Sequence, residues 1–274
     1  MDGRLNILAA DYPARRVVRA GDQPLAMADR QDFLIRIVRI LSADAADGVM
    51  ATMDVLEELL VLHDLMQARG LPAFLNEKLL IASLNRGGLS GSSWEMNDPP
   101  TGPTPTQCAE WRMDGVKMLW RFCESDQGSL STLRHCAQAI SEANSVQMPF
   151  FLEPLPVVPV DNGYKMNPSA EAFAQLVGAA TALGDSSRYL WLMLRYCANF
   201  NVVAISTTLP ILLLGGEAVS SDKYLSDIKD GLAAGHNVRG VMIGRSVLYA
   251  ADQDPVDAAG IFHDLVHKGP SGGA

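Results

Sequence analysis

Eight apolar stretches of six to ten residues recur along this 274-residue chain, and each is followed by an amphipathic helical pattern or a loop leading to one. The expected strands are 5–13, 47–52, 78–85, 114–123, 148–157, 189–197, 210–217 and 238–247. The expected helices are 24–43, 53–70, 108–113, 131–146, 169–183, 199–207, 221–235 and 254–269. Strands that are apolar on both faces, alternating with amphipathic helices, form a parallel sheet covered by helices. Eight such units in this length fit a closed (β/α)8 TIM barrel, an α/β fold; a doubly wound sheet is the competing arrangement. No break in composition marks a second domain, so residues 1–274 read as one.

The sixth of these stretches, YLWLMLRYC (189–197), is core-like except for Arg195. An unpaired guanidinium is costly to bury, so its surroundings decide its role. In a barrel of this kind the working groups sit at the C-terminal ends of strands and in the loops beyond. That rule selects Asp11 with Arg15 and Arg16 after the first strand, and Ser83, Asn85 and Arg86 at the third. It also selects Lys117 and Arg121 on the fourth, Glu153 on the fifth and Arg195 on the sixth. Gly215-Gly216 close the seventh strand and Gly244-Arg245 the eighth. Side chains alternate along a strand, so Lys117 shares a face with Leu119 and Arg121, Phe151 with Glu153, and Met193 with Arg195. Charged groups on apolar strands belong in the lumen, where they pair with each other. Such a set forms either a buried salt-bridge layer or a reaction site.

Glycines at the ends of the last two strands let backbone N–H groups approach an anion, and Arg245 adds a charge-assisted contact. Gly215, Gly216, Gly244 and Arg245 are therefore the expected phosphate-binding set. Arg15, Asn85, Arg121 and Arg195 are the expected substrate-binding groups. The five histidines all fall in expected helices or at their ends, away from the strand termini, so no metal and no cofactor are expected; an all-oxygen site from Asp11 and Glu153 is the remaining metal option. The formal net charge of −9 argues against nucleic acid and anionic membrane as partners. A small anionic or phosphorylated carbonyl compound is the expected partner, and a homo-oligomer is compatible with the sequence. The N-terminal residues carry no signal-peptide pattern, and Cys108, Cys123, Cys136 and Cys197 form no C-x-x-C pair. Both features point to a cytoplasmic protein with reduced thiols. The long Gly/Ser/Pro-rich segment 86–107, with Trp94 and Glu95, reads as a lid or as an ordinary surface loop.

The segments AADYPAR, DGVKML, FFLEP, LLLGG and GVMIGR, taken together over essentially the whole chain, resemble the class I aldolases, in particular the deoxyribose-phosphate aldolase/tagatose-bisphosphate aldolase superfamily. That resemblance implies a lyase or synthase of carbohydrate metabolism that makes or breaks a carbon–carbon bond through a Schiff base. It assigns Asp11 to a polar or acid–base role, Lys117 to the assisting lysine of the fourth strand and Glu153 to proton shuttling. It assigns the four residues of the phosphate set to a phosphate cradle. The family's imine-forming lysine belongs on the sixth strand, where this sequence has Met193, and a thioether forms no imine. Three readings follow. Lys117 carries the imine; or the site performs acid–base chemistry without an imine, as an isomerase or cyclase; or the chain is a binding paralogue or a Lys→Met variant without activity.

Overall fold

The computed structural model describes residues 2–86, 88–215, 222–251 and 253–269. Its strands are β1 (Leu5–Ala9), β2 (Gly48–Ala51), β3 (Leu79–Ser83), β4 (Gly115–Phe122), β5 (Phe150–Val160), β6 (Gly163–Met166), β7 (Leu190–Arg195), β8 (Ile211–Leu214) and β9 (Val238–Ile243). All except β6 run parallel. β1 pairs with both β2 and β9, and β4 pairs with β5, so the eight parallel strands close into a single-domain (β/α)8 barrel. The helices are α1 (Arg30–Ser42), α2 (Met53–Ala68), α3 (Pro105–Glu110), α4 (Gln127–Ser145), α5 (Ala170–Thr181), α6 (Phe200–Ala204), α7 (Asp222–Ala233), α8 (Arg245–Leu248) and α9 (Pro255–His267).

The differences from expectation have local causes. β1 stops at Ala9 because Pro13 opens a 3₁₀ turn and lacks the N–H a longer ladder needs. The first helix begins at Arg30 rather than at 24, where the Asp29 side chain accepts a hydrogen bond from the Asp32 N–H and caps it. Thr104 and Gln107 form a reciprocal capping box that starts α3 three residues early. The fifth strand runs on to Val160 and returns as β6. The hairpin turns at Asp161-Asn162 before Gly163, a turn signal the apolar pattern hides.

Alternation along the strands divides the core in two. Leu190, Leu192 and Leu194 face the helices, with Trp120, Phe150 and Phe173. Met193 faces inward and packs with Ile7, Ala9, Met50, Ile81, Phe151, Leu212, Leu214 and Met242, an apolar plug that fills the lumen. The site lies above this plug, at the C-terminal ends of the strands. All four cysteines are free and buried, and among the described residues no helix is long and apolar enough to cross a membrane.

Two features hold the opposite, N-terminal end. Gly240 takes φ +143° beside a register shift between β8 and β9, and a Cβ there would lie 1.9 Å from the Leu5 carbonyl oxygen. His267 sits between two carboxylates, 2.9 Å from Asp2 Oδ2 and 3.0 Å from Asp47 Oδ2, while Asp47 also accepts the Asn6 N–H at 2.6 Å. Partial burial works against a charged ring, but the hydrogen bonds and charges of Asp2 and Asp47 outweigh it and raise the His267 pKa.

Gly240→Ala is expected to destabilise the fold by about 2–4 kcal/mol, read from the denaturant midpoint, because backbone opposes the new methyl group. The His267 clamp is fully present below the unfolded histidine pKa of about 6.5 and is lost as pH rises through the elevated folded value. The melting-temperature gap between wild type and His267→Ala should therefore be wide at pH 6 and narrower at pH 9.

Candidate active site

Lys117, near the middle of β4, projects into the lumen directly above the apolar plug and is only 2% exposed. Its Nζ lies 3.0 Å from Asp11 Oδ2 and 3.2 Å from Glu153 Oε2. The Ser83 hydroxyl donates to the same Asp11 oxygen at 3.2 Å. The four residues come from the ends or inner faces of β1, β3, β4 and β5, and all four are buried. Burial alone would raise the Asp11 carboxyl. The charges of Lys117 and Arg15, with hydrogen bonds from Lys117 and Ser83, more than offset this and hold it below the usual carboxylate value. Glu153 has Lys117 as its ion-pair partner and is not tied to Arg195.

Tyr12, next to Asp11, forms the wall of the mouth. Gly244 admits it: a Cβ at that position would lie 2.4 Å from the Tyr12 ring and 2.7 Å from its hydroxyl. The Arg245 guanidinium lies 5.2 Å from the ring centroid. Burial, followed by the Asp11 charge, pushes the phenol up to about 12, against the opposing effect of Arg245 and Arg195. Tyr12 is thus a protonated hydroxyl at neutral pH.

The other expected substrate-binding groups divide between two roles. Arg15 pairs with Asp98 at 2.5 Å and donates to the Asn85 carbonyl and, at 3.1 Å, to Asn85 Oδ1. Asn85 brackets β4, donating to the Leu119 carbonyl at 2.6 Å and accepting the Leu119 N–H at 2.8 Å. Arg121 turns outward to Glu95, at 3.4 Å from its carboxylate and 3.1 Å from its carbonyl. Asp98 also accepts the Gly88 N–H at 2.9 Å, and its own N–H donates to Thr132 Oγ1. Arg15, Asn85 and Arg121 therefore fasten the segment after β3 across the barrel mouth. Asp98 is the hub that the sequence reading missed; the turn-forming Asn97-Asp98-Pro99-Pro100 was the available signal. Arg195 and Arg245 remain without a hydrogen bond or ion pair among the described residues, each with a buried Nε.

Of the expected phosphate cradle, Gly215 donates its N–H to the Met242 carbonyl at 3.1 Å, so that amide belongs to the sheet. Gly244 makes room for Tyr12, and Gly216 lies outside the described residues. Arg245 is the member of the set with free donors. Met193 is a packing residue of the apolar plug, below the polar layer. Lys117 already occupies the space between Asp11 and Glu153 that an oxygen-coordinated cation would need. Among the described residues, Asp47, His263 and His267 are close enough together to hold a metal, but they lie at the other end of the barrel, and both His267 nitrogens already meet carboxylates.

Asp98→Ala should cost about 3–5 kcal/mol in chemical denaturation, because it strands the buried Arg15 charge.

The model of the Cgl0159-like family matches residues 3–261. The Cgl0159 protein of Corynebacterium glutamicum, a solved structure, is 37% identical over 97% of this chain and 86% of its own, with a TM-score of 0.89. A Schiff base-forming fructose-1,6-bisphosphate aldolase shares 20% identity over 97% of this chain and 95% of its own, TM-score 0.71. An archaeal fructose-1,6-bisphosphate aldolase, solved with its catalytic lysine bound to a carbinolamine intermediate, shares 17% identity over 97% and 94%, TM-score 0.69. At those identities the two aldolases show a common fold. No curated protein matches the sequence. The family model and the corynebacterial structure together establish that this chain belongs to the Cgl0159-like family.

Proposed function

We propose that the protein is a class I aldolase-like lyase or synthase that makes or breaks a carbon–carbon bond in a phosphorylated sugar or related carbonyl compound, with Lys117 forming the imine. The observation that carries this reading is the placement of one buried primary amine within 3.0 and 3.2 Å of two carboxylates at the barrel mouth. The aldolase fold neighbours, one of them Schiff base-forming, support it. The four buried, free thiols support a cytoplasmic setting.

The carboxylates divide the work. Asp11 is held as an anion by Lys117, Arg15 and Ser83. It stabilises positive charge at the lysine nitrogen throughout. Glu153 has fewer partners and moves the protons. When the substrate carbonyl displaces the ion pair, the ammonium passes a proton to Glu153 and the neutral amine adds to the carbon; the C=O π pair moves to oxygen, which takes a second proton from the nitrogen to give a carbinolamine. Protonated Glu153 returns the proton to the departing hydroxyl, which leaves as water, and an iminium remains beside Asp11. Glu153, again a carboxylate, takes the proton of the substrate's β-hydroxyl. The adjacent carbon–carbon bond breaks, an aldehyde departs, and its electron pair enters the iminium to give an enamine. Synthesis runs these steps in reverse.

The same geometry supports a second reading. An ammonium bridging two carboxylates is equipped for proton transfer without an imine, as in an isomerase or cyclase. Borohydride treatment during turnover of candidate ketose phosphates, followed by peptide mass mapping, separates the two. The imine reading predicts inactivation with an adduct on Lys117, absent in Lys117→Arg. Turnover that survives borohydride, with no adduct on any lysine, would overturn it. Glu153→Gln should lower kcat by about 10²–10⁴-fold, measured in steady state, and should also lower the melting temperature, since buried Lys117 then keeps only Asp11 as its ion-pair partner.

A further inference from the structure

Four of the strand-end guanidiniums, those of Arg15, Arg121, Arg195 and Arg245, differ in kind. Arg15 and Arg121 are matched by Asp98 and Glu95 within the segment that covers the site. Arg195 and Arg245 have no carboxylate partner and no hydrogen bond among the described residues; a buried, unpartnered Nε is common to them and to Arg15, so the missing carboxylate is what sets them apart. A partly buried guanidinium with no carboxylate of its own in the free protein marks the place of an anion supplied by a ligand. Two such groups, in a chain whose net charge is −9, are not there to balance the overall charge.

The two leave the barrel from different strands, and both charges reach the Tyr12 phenol. Arg195 ends β7 and is in register with Leu214 of β8, which is itself in register with Met242 of β9. Arg245 follows β9, so two strand spacings, roughly 10 Å, separate the strands that carry them. Arg245 stands against Tyr12 and Gly244. Arg195 is followed by Tyr196-Cys197, with no glycine to bring backbone N–H groups to an anion. A single guanidinium fork satisfies both oxygens of a carboxylate; a phosphoryl group, with three terminal oxygens, matches Arg245, which has the protonated Tyr12 hydroxyl beside it as a further donor.

We infer that the substrate carries two separate anionic groups, a phosphate held at Arg245 and a carboxylate read by Arg195, so that the carbonyl compound is a phosphorylated keto or aldehyde acid rather than a neutral-headed sugar phosphate. This rests on the reading of the barrel mouth as the reaction site, and it makes Arg195 the residue that sets specificity. It also accounts for the charged residue at the end of an otherwise apolar strand.

Isothermal titration with two non-reacting probes tests it. 3-Phosphoglycerate carries a carboxylate and a phosphate; glycerol 3-phosphate carries the phosphate alone. Wild type is expected to bind 3-phosphoglycerate roughly tenfold more tightly or better, one bidentate charged contact being worth about that factor. In Arg195→Met the two probes should bind within about twofold of each other. A circular dichroism spectrum and a cooperative melt like those of wild type report that the variant is folded; Arg195→Gln serves as the second variant should the first not fold. Equal affinities in wild type would overturn the inference. Equal weakening of both probes in the folded variant would also overturn it, since that is the result of two arginines sharing one phosphate. Neither probe has a ketone or aldehyde, so the inference can fail while borohydride trapping on Lys117 succeeds, and the reverse.

Discussion

A primary amine buried at 2% exposure has to be compensated where it stands, and the ion pairs of Lys117 with Asp11 and Glu153 provide that compensation. Much of the site follows from them. The carboxylates must come from β1 and β5, on either side of the lumen, so the barrel has to close before the amine is satisfied. Ser83 and Arg15 join Lys117 in holding Asp11 below the usual carboxylate range, and on the proposed reading Glu153 is then the partner that exchanges protons. An arrangement that stabilises a buried lysine is also one that can move a proton on and off its nitrogen.

Around this centre the barrel is layered. Below lies the apolar plug with Met193 and Phe151, which excludes water from the underside of the amine. Above lies the segment after β3, fastened through Asp98 to Arg15, Gly88 and Thr132 and through Glu95 to Arg121. This cover is attached to the barrel by buried charged contacts. The cations consumed in holding it are then unavailable to a ligand, and Arg195 and Arg245 are the ones left over. Tyr12 fills the space that Gly244 leaves and supplies a hydroxyl that stays protonated at neutral pH.

The barrel could be read from the sequence because parallel strands buried on both faces write themselves as apolar runs, and eight of them alternate with helices. Strand-end placement and alternation put Asp11, Lys117 and Glu153 at one mouth, but the pairs they suggested joined Lys117, Glu153 and the arginines, whereas Lys117 meets Asp11 and Glu153. The hairpin of β5 and β6 was not legible, because Val157–Val160 continues an apolar run and only the Asn162-Gly163 pair betrays the reversal. Nor was the division of the arginines. Arg15, Arg121, Arg195 and Arg245 look equivalent at strand ends, and only the contacts of Asp98 and Glu95, thirty or more residues from some of their partners in sequence, separate the anchors from the free cations. The glycine pair after β8 looked like an anion cradle, but the Gly215 amide is used by the sheet, a pairing that depends on where β9 ends. Tyr12 lay beside a selected residue and carried no signal of its own until Gly244 was seen to yield it room.

The claim on which the chemistry turns is that the Lys117 nitrogen, and not another group at this mouth, bonds to the substrate carbon. A crystal structure of the protein soaked with dihydroxyacetone phosphate tests it most directly. Continuous density from Lys117 Nζ to the carbonyl carbon, with Asp11 still beside the nitrogen, is the predicted result; a ligand bound at the mouth with Lys117 unmodified between Asp11 and Glu153 would contradict it.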